Sequence, residues 1–293
     1  MSGLVAARHD SAPDTLAPAT LTPGTLVPAT LTPGTLTPGT LTPEGLLSSL
    51  AAGEVRAAEP DPSAPDGWRV RPDVKEAILA VFADRTTATW QVGPLSFRDR
   101  AALPPVDPGP ERRVVPGGTA IRAGAHLAPG VIVMPPSYVN VGAWVGPGTM
   151  VDSHVLVGSC AQIGAGVHLS AGVTIGGVLE PAGARPVIVD DEVFVGAGSS
   201  LLEGVLVGRG AVIGAGVVLT GSSRLFDLVA ERDLVGTAEQ PLAVPPGAVV
   251  VPGSRPAAGA WARERGLAIT TALIVKMRDP GTDARLALES ALR

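Results

Sequence analysis

Hydrophobic residues in the middle of the chain recur with a period of six. Reading every sixth position gives Val115, Ile121, Leu127, Val133, Val139, Val145, Val151, Val157, Ile163, Leu169 and Ile175, with no polar interruption. Four residues after each comes a smaller side chain, among them Ala125, Ser137, Ala143, Thr149 and Ala161. The pattern breaks over GGVLEPAGARP and resumes, shifted by two residues, at Val189, Val195, Leu201, Val207, Ile213 and Leu219, with Val244 and Val250 as the last rung. Period six, with an aliphatic at position i and a small residue at i+4, predicts a parallel β-helix. Each hexad supplies a short strand and a turn, three hexads close a triangular coil, and coils stack about 4.8 Å apart. Seventeen hexads and the interrupted one make about six coils. The glycines of GAGSS and GRGAVIGAG then belong to turns of the repeat and not to a phosphate cradle.

The flanks follow other rules. Residues 15–44 repeat a TLxPx pentapeptide whose prolines exclude continuous helix or paired strand, so 1–43 is expected to be a disordered tail, a tolerated low-complexity expansion and not a docking element. Residues 44–110 predict a small α/β segment: LLSSLAAG as a short helix stopped by Gly53, then a helix from Val74 to about Asp84 with Asp73 and Glu76 as a capping box. Val74, Ile78, Val81 and Phe82 share one face of that helix. LPPVDPGPER is the linker into the repeat domain, 111–256. Beyond Pro256, AITTALIVKM reads as a strand and TDARLALESALR as a helix capped by Thr282, together a cap for the open solenoid end over 257–293.

Composition narrows the class. The chain has 293 residues, 45% of them hydrophobic, yet aromatics are only 3%, so its core is built from small aliphatics and it is not globally disordered. The net charge is −5, which argues against nucleic-acid binding. All but two of the 22 basic residues are arginines, whose planar fork suits carboxylate or phosphate ligands. The one cysteine, Cys160, excludes an internal disulfide and a thiolate metal cage, and points to a reducing compartment. Neither a membrane-length apolar run nor a signal-peptide pattern is present, so a cytoplasmic protein without membrane or nucleic-acid partners is expected.

Specific strings sharpen this. GTMVDSHVLVGSCAQIGAGVHLSAGVTIGGVLEP, preceded by RRVVPGG and MPPSYVNVGAWVG and followed by SSLLEGVLV, resembles the tetrahydrodipicolinate N-succinyltransferases. GWRVRPDVKEAILAVF and the C-terminal TALIVKMRDPGTDARLALESALR extend the resemblance over roughly residues 44–293, while the Thr-Leu-Pro repeat stands where that family usually has a longer helical segment. The resemblance implies a left-handed coil, against the usual right-handed crossover. It also implies transfer of succinyl from succinyl-CoA to the amino group of ring-opened tetrahydrodipicolinate, in the succinylase branch of diaminopimelate and lysine biosynthesis. Succinyl-CoA is then a cosubstrate, with no tightly bound cofactor and no metal.

By the same resemblance Asp152 and Glu203 are the catalytic carboxylates, Asp152 also binding the substrate amine. Arg113 holds a substrate carboxylate, with its neighbour Arg112 easily mistaken for it, and Asn140 and Ser170 are weaker substrate-binding positions. Gly177, Arg185 and Ala197 are expected near CoA. Counted along the repeat, Asp152 and Glu203 lie eight hexads apart, hence on different faces and about 13 Å apart along the axis. A homotrimer with active sites between subunits would unite them.

Of the three histidines in the repeat, His154 lies nearest in sequence to Asp152; a base role for His126, His154 or His168 is weaker than a turn or interface role. Cys160 lacks a partnering base, so a small turn residue is the better reading than a nucleophile. The alternatives are a tetrahydrodipicolinate N-acetyltransferase and a non-catalytic β-helix scaffold. A zinc hydratase of the γ-carbonic-anhydrase type does not fit the histidine spacings of 28 and 14 residues.

Overall fold

A computed structural model describes residues 42–237 and 239–282. The Thr-Leu-Pro tail and the expected terminal helix after Thr282 lie outside the described residues. The centre is a left-handed parallel β-helix of six coils, each contributing one two-residue strand to each of three faces. Pairing joins residues 18 apart: Ile132 to Met150 and Met150 to His168 on face one, Tyr138 to Leu156 on face two, Trp144 to Gln162 on face three. Within each strand the second residue points inward, and the inward column from Leu127 to Leu219 is buried, together with the i+4 column. Small residues suit i+4 because the prism narrows at its corners. Where that position is polar, the hydroxyl stitches coils together. Ser137, Thr149 and Ser199 each donate to a carbonyl and accept an N–H from the next coil, so no core hydroxyl is left without a partner at these rungs.

Two features of the repeat differ from the periodic reading. In the first rung Val114, not Val115, occupies the inward place, since Val114 pairs with Val133; the PGG turn that follows takes one extra residue before Ile121. The stretch 176–187 is not a hexad. Ile175 on face two is followed directly by Val189 on face three, because Gln162 pairs with Ile188 and Thr174 with Ser200. It is a loop thrown out at the corner between those faces. The same corner emits a second excursion one coil further than Glu203, the antiparallel hairpin Arg224–Asp227 and Arg232–Val235.

The N-terminal segment covers one side of the prism. Helix α1 (Pro43–Ala52) ends at Gly53, whose left-handed backbone at φ 81° returns two N–H groups to Leu50 and Ser49. Helix α2 (Pro72–Ala83) buries Val74, Ile78 and Val81 as its periodicity predicts. Its expected capping box does not form. The cap position is Arg71, and Asp73, already inside the helix, binds the Arg71 guanidinium at 2.6 Å instead. Two antiparallel hairpins in this segment escape the periodic reading, Ala58–Pro60 with Trp68–Val70 and Thr87–Val92 with Leu95–Arg100.

At the far end, strand Ala248–Pro256 leaves face one and pairs antiparallel with Ala268–Met277, forming the expected strand of the cap. Thr282 does not act as a cap itself: its N–H and hydroxyl both donate to Asp279 Oδ1 at 2.7 and 2.8 Å.

Candidate active site

The outward columns of the three faces carry different chemistry. Face three presents His126, Trp144 and Gln162 on successive coils, and all three are engaged by the N-terminal segment. His126 stacks on Trp144 at 4.0 Å, and its Nδ1 lies 2.9 Å from the Ala51 carbonyl. Burial pushes its pKa below the ordinary histidine value, more than the Ala51 contact restores. His126 is a packing residue. Cys160 is likewise enclosed, at the corner between faces two and three, where burial pushes its thiol up to about 12. A thiol so hard to ionise is no nucleophile.

Face one is different. Here Met150, His168 and Phe194 stack in one outward column, and with the corner that follows them they line a groove of about 560 Å³. Asp152, Ser170 and Ala197 line the same groove. Asp152 and Ser170 hold equivalent places on neighbouring coils, and the Asp152 backbone is fixed from both sides. Its N–H donates to the Leu169 carbonyl at 2.9 Å, and its carbonyl accepts the Ser137 hydroxyl at 2.8 Å. Asp152 Oδ1 accepts the Ser153 N–H at 2.6 Å, whereas Oδ2 takes no hydrogen bond among the described residues. A half-buried carboxylate with one oxygen anchored and one available can accept a proton without moving.

Arg113 stands at the foot of face one, in the outward column that continues through Ile132 and Met150, two coils or about 10 Å below Met150. Arg112 is turned away: its Nε donates to the Leu127 carbonyl at 2.7 Å. The three histidines rank differently from their sequence distance to Asp152. His154 occupies an exposed left-handed corner at φ 61°, whereas His168, one coil above Met150, lines the groove edge-on to Phe194. The 18-residue column spacing from Met150 to His168 was the signal that could have found it.

The remaining expected residues lie at the corner between faces two and three. Asn140 accepts the Val141 N–H at 2.9 Å on its side-chain oxygen. Glu203 is exposed, forms no ion pair among the described residues, and sits at φ 54° immediately before left-handed Gly204. A non-glycine residue in that region costs roughly 1 kcal/mol. Such strain marks a position where the carboxylate's place matters. From Asp152 to Glu203 there are seven hexads, not eight, so two coils and one face separate them, about 11 Å along the axis. They belong to different corners, as the spacing predicts.

Gly177 opens the 176–187 loop, and a Cβ there would stand 2.8 Å from the Ser159 amide, so only glycine lets the loop leave this tightly. Arg185 is buried, with its fork directed inward. Its Nε donates to Gly204, Nη2 to Pro241, and Nη1 pairs with Asp66 at 2.6 Å. That guanidinium holds the loop down and has little left for a CoA phosphate. Lys75 of α2 pins the same loop through the Pro181 and Ala184 carbonyls at 3.1 and 2.8 Å.

Comparison with known proteins agrees with the repeat and the strings around it. A family model described as the hexapeptide repeat of succinyl-transferase matches residues 186–221. A 2,3,4,5-tetrahydropyridine-2,6-dicarboxylate N-succinyltransferase of Azoarcus sp. strain BH72 is 42% identical over 255 residues, covering 85% of this chain and 87% of the relative. The chain belongs to this N-succinyltransferase family. Members carrying the same name from Bordetella petrii and Methylobacterium sp. strain 4-46 are 40% and 39% identical, each over 84% of this chain and 87% of the relative. Family membership makes the protein an acyltransferase. Among the described residues no helix is long and apolar enough to cross a membrane.

Proposed function

We propose that the protein transfers the succinyl group of succinyl-CoA to the amino group of ring-opened tetrahydrodipicolinate, yielding N-succinyl-2-amino-6-oxopimelate. The observation that carries this reading is the anchored Asp152 carboxylate in the face-one groove of a chain that belongs to this transferase family.

The chemistry needs a neutral amine beside the thioester carbonyl and a base for the departing proton. Asp152 Oδ2 binds the amine and takes its proton as the new C–N bond forms. The C–S bond breaks, and CoA leaves as thiolate, which is then protonated. No covalent acyl-enzyme is needed. Arg113, on the same face, receives a substrate carboxylate through its fork, which suits a dicarboxylic acid. The Ser170 hydroxyl, one coil above Asp152, and the Asn140 amide nitrogen supply further donors.

Glu203 works from another corner. A homotrimer, packing face one of one prism beside the second corner of its neighbour, brings Glu203 to the partner's Asp152. Ala197 in the groove and Gly177 at the root of the 176–187 loop then flank the thioester arm of CoA from two subunits, with Arg185 keeping that loop in place. In this reading residues 44–110 brace the prism and 257–293 close its end.

Thiol release from purified protein given tetrahydrodipicolinate, or the simpler acceptor 2-aminopimelate, tests the proposal. Succinyl-CoA is expected to be the preferred donor. Preferential use of acetyl-CoA would contradict the succinyl assignment, and no thiol release with either donor would favour a non-catalytic scaffold.

A further inference from the structure

A second pocket, of about 390 Å³, opens where the N-terminal segment meets the corner after face three, a different corner from the one carrying Asp152. Its walls include the rings of Trp68 and Trp144, with Pro60 and Pro147. Arg56 lies between the rings, its guanidinium carbon 3.8 Å from the Trp144 centroid and 5.4 Å from that of Trp68. Its Nε donates to Gln162 Oε1 at 2.9 Å, and its two Nη groups make neither hydrogen bond nor ion pair among the described residues. Burial lowers its pKa to about 10, against the opposing pull of Glu59 and Asp191, so it remains a cation at neutral pH. A guanidinium this far out of water, with no anion in contact, is costly unless something else supplies one.

The same pocket holds an anion with little to do. Asp190 accepts one long bond, 3.3 Å, from Trp68 Nε1, and burial raises its pKa above the ordinary carboxylate value. The other charges here are already matched. Asp191 caps the Ala165 N–H at 2.8 Å and pairs with Arg209. Two arginines and two aspartates leave the pocket without net charge, which disfavours a polyanion such as the phosphates of CoA. One free cationic group, one under-used carboxylate and apolar walls between them suit a zwitterion with an apolar body.

We propose that this pocket binds a free apolar α-amino acid, Arg56 receiving its carboxylate, Asp190 its ammonium group, and the two indoles and prolines its side chain. The site is separate from the transferase groove and would let such an amino acid brace the N-terminal segment against the prism.

The test is titration of the full-length protein with L-leucine and L-phenylalanine, followed by intrinsic fluorescence, since Trp68 and Trp144 are two of only four tryptophans. A saturable change is expected. 4-Methylpentanoate and isoamylamine, each keeping one charge of leucine, should bind at least about tenfold more weakly. Arg56→Gln and Asp190→Asn should each weaken leucine binding by a similar factor, leaving the transferase rate without amino acid unchanged. Absence of any saturable change, binding of either single-charge analogue as tight as leucine, or unaltered affinity in both variants would overturn the proposal. The analogue comparison uses wild-type protein and so stands even if a variant folds poorly.

Discussion

Faces one and three of the prism are built from the same rung, yet they do opposite things. Val145 and Val151 point inward from adjacent faces and are equally buried. One residue earlier, Trp144 and Met150 point outward. Trp144 is clamped between His126 and Arg56, while Met150 lines the groove beside Asp152. The inward period sets the scaffold and is indifferent to function. Outward residues, free of that period, decide which face is covered and which works. The left-handed corners divide in the same way, His154 standing exposed after face one and Cys160 buried after face two.

The largest break in this comparison should come from Asp152→Asn. The variant keeps the acceptor for Ser153 N–H but not a base, so kcat/KM should fall about 10²–10⁴-fold with unfolding stability changed by less than about 0.5 kcal/mol. Steady-state thiol release and urea melts read both. Activity within a few-fold of wild type would move the working site off face one.

Next in size is a pair on the two outward columns. Trp144→Ala removes a ring held on both sides and should cost about 3 kcal/mol of stability. Met150→Ala, one hexad on, should cost less than half of that while raising KM. Equal losses in urea unfolding would mean that face one is as much a packing surface as face three.

The smallest effect concerns the buried corner. Because the Cys160 thiol titrates at about 12 when folded and near 9.0 when unfolded, the unfolded chain loses this proton first as pH rises. The thiol's share of stability is complete below pH 9.0 and declines between that value and about 12, by on the order of 1.4 kcal/mol per unit. Lys75, whose pKa burial lowers, contributes a slope of the opposite sign. The comparison of wild type with Cys160→Ala over pH 9–10.5 isolates the thiol, because Lys75 is common to both. Parallel stability curves would show that Cys160 is not sealed.

The scaffold was largely legible because a period of six leaves few alternatives: inward aliphatics and small corner residues can only stack as a three-sided coil. The errors arose where the period is silent. A single extra residue in the PGG turn moved the first rung from Val115 to Val114, and a loop was counted as a hexad because its length resembled one. The site was legible through the strings around Asp152 and Glu203, and their separation survived the corrected count. His168 was ranked below His154 because linear distance was used where the relevant distance is one coil. The engagement of Arg185 by Gly204, Pro241 and Asp66 depends on three segments far apart in sequence, which no local pattern announces.

The central claim is that Asp152 and Glu203, on different corners of one prism, act together across two subunits. Asp152→Asn and Glu203→Gln chains, each inactive alone, should regain measurable succinyl transfer when co-expressed and assembled into mixed oligomers. Mixed oligomers that form and stay as inactive as either parent would contradict it.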